Sequence, residues 1–167
     1  MNDLQQRCEK PGSFEALTIY RSGAFEIDVA PDKALPLFTA PGEKSWVPDW
    51  NPTILSGNGF EKGTVFVTGQ QGARTYWLVI DYDTATRHAL YVRTTPEVDT
   101  GTVDISVGSD HGGGTTIHVT YSLTALSEAG NTRLRETFNP SAYAKMMEGW
   151  RTLIAENRTR IAEQSPD

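Results

Sequence analysis

NPSAYAKMMEGWRTLIAENRTRIAE, residues 139–163, is the stretch of this chain with a sustained helical period. Asn139 offers a side-chain acceptor to the first free amides of a helix, and Pro140 suits the first helical position, where no amide hydrogen is needed. At about 100° per residue, Tyr143, Met147, Trp150, Ile154 and Ile161 fall on one stripe, with Met146 and Leu153 on its shoulder. Lys145, Glu148, Thr152, Glu156 and Glu163 fall away from it. The spacing predicts one long amphipathic helix over residues 139–163, broad enough on its apolar side to need a sheet beneath it.

The preceding sequence supplies that sheet. Residues 53–56, 64–69, 74–82, 88–95, 102–109 and 115–126 are short strand runs separated by turn residues, among them Gln70-Gln71-Gly72, Asp99-Thr100-Gly101 and Asp110-His111-Gly112-Gly113-Gly114. Connections this brief suit antiparallel hairpins, because a parallel pair needs a crossover of about a dozen residues or more. In the last two runs Val103, Ile105 and Val107 alternate with Asp104 and Ser106. Ile117, Val119, Tyr121 and Leu123 alternate with Thr116, His118, Thr120 and Ser122, so one face is dry and one wet.

Upstream, residues 14–29 read as a first strand, clearest where Phe25, Ile27 and Val29 alternate with Glu26 and Asp28. Residues 30–38 read as a short helix that Pro36 bends or ends. Pro41-Gly42 breaks the chain, and residues 42–52, GEKSWVPDWNP, put two tryptophan rings into a connector where they must cover something apolar. Residues 1–13 read as a polar lead-in to a single domain over residues 14–163.

A chain of 167 residues, 38% of them hydrophobic, can bury a core with a pocket inside it. The net charge of -6 and the lack of a Lys/Arg-rich run argue against a nucleic-acid partner or an anionic membrane surface. One cysteine, Cys8, excludes an internal disulfide, and neither a signal segment nor a run of about 20 apolar residues is present, so a cytoplasmic location without a membrane span is expected. The glycosylation acceptor pattern Asn157-Arg158-Thr159 lies inside the predicted helix and is discounted. No G-x-S-x-G or H-E-x-x-H pattern supports a hydrolase or metalloprotease, and neither a cofactor nor a metal is expected.

The order of strand, two short helices, six strands and long helix resembles the helix-grip fold of the START-like superfamily, also called SRPBCC, which includes polyketide cyclases, lipid-transfer domains and pollen-allergen carriers. Gly42-Glu43 followed by Trp46, Pro48, Trp50 and Pro52, then Gly63 with Phe66, is similar to a bacterial branch of it. So are Trp77-x-Val79, Tyr82-Asp83, Tyr91-Val92-Arg93, Pro96, Tyr121, Thr124-Ala125-Leu126-Ser127 and Gly130. The resemblance covers roughly residues 25–154. It implies an α+β protein with an antiparallel sheet of about seven strands wrapped around a long C-terminal helix. One scaffold carries many activities, so the function has to come from the site.

Tyr121 shares its register with Ile117, Val119 and Leu123, so it should point at the helix, as a core tyrosine or as a hydroxyl that orients a ligand or supplies a proton. Arg93 beside Tyr91 would bind a ligand oxygen if inward and be a solvated sheet residue if outward. The face of His88 is ambiguous, since Leu90 and Val92 compete with Tyr91 and Trp77 for the inside. His118 reads as an exposed sheet residue, Asp110-His111 as part of a hairpin tip, and Asn157 as a satisfied helix-end residue. Met146, Met147 and Trp150 are core on a helix whose core side is also a cavity wall. With Trp46, Trp50 and Trp77, these give the expected ligand-binding set: Trp46, Trp50, Trp77, Tyr91, Arg93, Tyr121, Met146, Met147 and Trp150.

The first functional expectation is binding of a small apolar or aromatic ligand between sheet and helix, a homodimer being left open. The resemblance implies two alternatives, a cyclase or dehydratase acting on a polyketide-like substrate in the same cavity, and a co-chaperone-like protein-interaction module.

Overall fold

The computed structural model describes residues 14–69, 73–109 and 114–164. Its strands are β1 Thr18–Ile27, β2 Thr53–Ser56, β3 Val65–Thr68, β4 Thr75–Asp83, β5 His88–Thr95, β6 Asp99–Ser109 and β7 Thr115–Ala125. They form one antiparallel sheet in the order β1-β7-β6-β5-β4-β3-β2. From β2 to β7 each strand pairs with the next, as the short connections require. β1 closes the other edge by pairing with β7, from Thr18 opposite Thr124 to Ile27 opposite Thr115. Between β1 and β2 lie α1 Pro31–Ala34 and two 3-10 turns, Leu35–Phe38 and Gly42–Ser45. After β7 come α2 Glu128–Thr137, α3 Pro140–Glu156 and α4 Arg158–Gln164. This is the helix-grip fold, with α3 lying on the sheet face that carries Val103, Ile105, Ile117, Val119 and Tyr121.

α3 starts as its sequence dictates: Pro140 opens it, and the Asn139 side chain accepts a hydrogen bond from the Ala142 amide at 2.9 Å. Tyr143, Met147 and Ile154 are buried, with Met146, Trp150 and Leu153 half-buried beside them. The Tyr143 hydroxyl donates to the Val119 carbonyl at 2.7 Å and ties the helix to β7. Gly23 makes room on β1, since a Cβ there would stand 3.0 Å from the Tyr143 ring and 3.2 Å from Met147.

Three features depart from the sequence expectations. The predicted helix over residues 139–163 is two helices. α3 stops at Glu156, where Asn157 caps it by donating from Nδ2 to the Leu153 carbonyl at 2.8 Å, and the chain restarts as α4, which carries buried Ile161. Asp99-Thr100-Gly101 belongs to β6 and is not a turn. The chain reverses one step earlier, through Glu97 at a φ of 62°, because Asp99 is drawn inward by Arg93. α2 was not expected, for its sequence EAGNTRLRET has no apolar stripe. It is held by tertiary fits: Ser127 caps it, and Gly130 sits where a Cβ would overlap the Val98 carbonyl at 2.0 Å. Buried Asn131 accepts from the Leu17 amide at 2.7 Å and donates to the Glu15 carbonyl at 2.9 Å. The lead-in with Cys8, the Gln70-Gln71-Gly72 turn and Asp110, His111, Gly112 and Gly113 of the hairpin tip lie outside the described residues.

Candidate functional site

The inner faces of β3 to β7 do not meet α3 along their whole length. At one end the gap is filled by rings: Trp150 of α3 packs against Trp46 at 5.7 Å, Phe38 at 6.1 Å and Phe25 at 6.4 Å between centroids. Beyond them a cavity of about 180 Å3 stays open. Its floor is Phe66, Trp77, Tyr91, Arg93, Val103, Ile105 and Tyr121 from the sheet. Its remaining wall is Phe38, Glu43, Trp46, Val47 and Trp50 from the connector, with Trp150 above.

The connector is shaped for this by its own bonds. The Trp46 indole N–H donates to the Leu37 carbonyl at 2.7 Å and that of Trp50 to the Ala40 carbonyl at 2.8 Å, so each ring is turned back over its own segment. Gly42 permits the tight turn, because a Cβ there would stand 1.8 Å from the Pro36 carbonyl oxygen. That turn carries the next residue, Glu43, into the cavity wall.

The polar groups of the cavity divide into two kinds. The Trp77 N–H donates to Thr68 Oγ1 at 2.9 Å and the Tyr91 hydroxyl to the Phe38 carbonyl at 3.0 Å; with Trp46 and Trp50 these are satisfied and present rings alone. Arg93, Tyr121 and Glu43 are not fully paired. Arg93 is clamped by Asp99 at 2.9 Å and lies between the Trp77 and Phe138 rings, 5.6 and 6.0 Å from their centroids, yet its Nε is buried without a partner. The Tyr121 hydroxyl and the Glu43 carboxyl have no hydrogen-bond partner among the described residues. Desolvation pushes the Glu43 carboxyl up to about 8, so it is mostly protonated at neutral pH. Burial also raises the Tyr91 and Tyr121 phenols. Glu43 adds to both shifts, while the Arg93 charge opposes that of Tyr121.

Of the residues singled out in sequence, Trp46, Trp50, Trp77, Tyr91, Arg93, Tyr121 and Trp150 line this cavity. Met146 and Met147 do not: Met147 packs over Gly23 of β1, and Met146 lies half-buried against the core. Arg93 and Tyr91 point inward. His88 points outward, between Asp81 and Asp104 on the opposite face, and His118 is exposed there too. Sequence reasoning passed over Glu43. It entered the sequence reading only within the Gly42-Glu43 motif of the resemblance, with no role in the site, and no periodicity marks it. Among the described residues no group of three His, Cys, Asp or Glu could hold a metal, and no helix is long and apolar enough to cross a membrane.

No family model matches the chain, and no curated protein matches it in sequence. Solved structures do match in fold. Norcoclaurine synthase from Thalictrum flavum is 14% identical, with 84% of this chain and 88% of that one covered at a TM-score of 0.59; it has also been solved with dopamine and hydroxybenzaldehyde. Ara h 8.0201 is 16% identical over 85% of this chain and 99% of its own, at 0.63. The major latex-like protein 151 of Panax ginseng is 13% identical over 90% and 99%, at 0.59. At these identities the likeness is one of fold.

Proposed function

We propose that this protein binds a small apolar or aromatic molecule in the cavity beneath α3. The observation that carries the reading is the cavity itself, walled largely by rings, with the polar edges of Trp46, Trp50, Trp77 and Tyr91 already bonded and with Arg93 and Tyr121 on its floor and Glu43 on its wall left incompletely paired. A dry cavity of about 150 Å3 takes a benzene-sized guest, whereas drug-sized ligands occupy roughly 300–1,000 Å3. At about 180 Å3 the guest is a compound of one or two rings. The chain's four tryptophans, Trp46, Trp50, Trp77 and Trp150, all line the site, so intrinsic fluorescence reports on it. Titrating one- and two-ring aromatics should change the emission and raise the Tm, by about 2.7 kcal/mol of added stability at a hundredfold excess over Kd. Native mass spectrometry of the purified protein should detect a bound small molecule. A panel that alters neither emission nor Tm, with no co-purified mass, would overturn the reading.

Glu43 favours a second reading, an enzyme of the cyclase or dehydratase class acting in the same cavity. A carboxyl held up to about 8 gives and takes protons near neutral pH, and Tyr121 and Arg93 stand ready to stabilise a developing oxyanion. Tyr121→Phe separates the two readings. Loss of a ligand hydrogen bond should weaken binding by about 0.5–1.5 kcal/mol, whereas loss of a proton donor should lower turnover by about 10²–10⁴-fold with the fold intact.

A further inference from the structure

The ligand class can be narrowed by the three incompletely paired groups. Tyr91, Val103 and Tyr121 form one cross-strand row on the cavity floor, and Arg93 stands two residues along β5 from Tyr91 on the same face. The row through Arg93 continues to Gly101 and Leu123, so β6 puts no side chain between Arg93 and β7. The guanidinium reaches the Phe138 ring, which lies 5.2 Å from that of Tyr121. The Arg93 guanidinium and the Tyr121 O–H thus face the cavity from its floor, with Glu43 entering from the connector wall, while Arg93 Nε itself is sealed from solvent.

A hydrocarbon guest would cover these donors without offering them an acceptor. A carboxylate guest would bring a negative charge to a site where Asp99 already balances Arg93. A neutral carbonyl oxygen has two lone pairs and meets two donors at once. Resting on the reading of the cavity as a ligand site, we infer that its ligand is a one- or two-ring aromatic compound bearing a carbonyl, with the carbonyl oxygen held by the Arg93 guanidinium and the Tyr121 hydroxyl and the Glu43 carboxylic acid facing it. Glu43 shares the cavity with Tyr91 and Arg93 of β5 and Tyr121 of β7; Asp99 of β6 stands behind Arg93, Lys44 is next to Glu43 in sequence, and Arg160 of α4 donates to the Lys44 carbonyl. Ionising Glu43 puts a negative charge beside the carbonyl oxygen, so affinity holds below pH 8 and falls above it.

The test uses three probes of one shape, indane, 1-indanone and indane-1-carboxylate, titrated against the full chain by tryptophan fluorescence. At pH 6.5 the ketone should bind about two- to tenfold tighter than indane, the range of one net hydrogen bond, and at least as tightly as the carboxylate. At pH 9.5 that preference should vanish in the native chain and persist in Glu43→Gln, whose amide still donates. Should the variant fail to fold, the native pH profile decides. Equal binding of indane and 1-indanone at pH 6.5 would overturn the carbonyl assignment and leave the cavity reading standing, as would tighter binding of the carboxylate. Binding of none of the three would overturn both.

Discussion

On the outer face of the sheet His88 stands between Asp81 at 3.3 Å and Asp104 at 3.0 Å, while the inner face of the same strand carries Arg93 into the cavity with Tyr121 and Glu43. Outside, polar groups are consumed by each other: Thr18 bonds Thr124, Ser22 bonds Thr120, and Thr94 bonds Thr100 across strands. Inside, Trp46, Trp50, Trp77 and Tyr91 are satisfied, but Arg93, Tyr121 and Glu43 keep polar groups without partners among the described residues. The acid–histidine–acid cluster that the fold assembles on the outside is a closed structural unit. The inner cluster has valence to spare.

The comparison can be broken most severely by uncovering the inner face. Deleting residues 140–167 removes α3 and should abolish the cooperative melt, while leaving every outer-face bond in place. A surviving cooperative transition would mean that the inner face needs no cover.

Charge removal gives a smaller contrast. Arg93 and Asp99 side chains are only 12% and 1% exposed, so Asp99→Ala strands a buried guanidinium and should cost about 3–5 kcal/mol in chemical denaturation. Asp104→Ala breaks a pair whose members are 30% and 44% exposed, and should cost about 0–1 kcal/mol. Equal costs would erase the distinction.

Acidity separates the faces next. Folded protein keeps a proton on Glu43 that the unfolded chain releases above its ordinary value of 4.5, so unfolding releases a proton between about pH 4.5 and 8. Stability should fall as pH rises through that window, by at most about 1.4 kcal/mol per unit, and Glu43→Gln should flatten the slope. His88 is also raised, chiefly by its bond to Asp104. Its contribution is complete below the ordinary 6.5 and disappears as pH rises through the folded value, a weaker effect at a half-exposed site that His88→Gln should remove. The smallest effect is expected on the outer face at His118, where replacement by Ala should change stability by less than about 0.5 kcal/mol.

What could be read in sequence was what repeats. The alternation of β6 and β7 fixed which side chains face α3, and brief connections fixed antiparallel order. Asn139, Pro140 and the stripe through Tyr143, Met147 and Ile154 marked α3. Features set by one close fit were not legible. α2 depends on Gly130 meeting the Val98 carbonyl and on Asn131 reaching back to Glu15 and Leu17. Glu43 enters the cavity through a single glycine turn against Pro36, an arrangement with no period to detect. His88 was ambiguous because β5 carries apolar residues on both faces, Leu90 and Val92 outside and Ala89 and Tyr91 inside.

The indole bonds of Trp46 and Trp50 both end on carbonyls of their own segment, Leu37 and Ala40. Residues 37–50 therefore carry their internal wiring with them and behave as a cassette. The same segment is also core, since Phe38 and Trp46 pack on Trp150 and the Phe38 carbonyl receives the Tyr91 hydroxyl, so a change in this wall should be read out in stability as well as in the cavity.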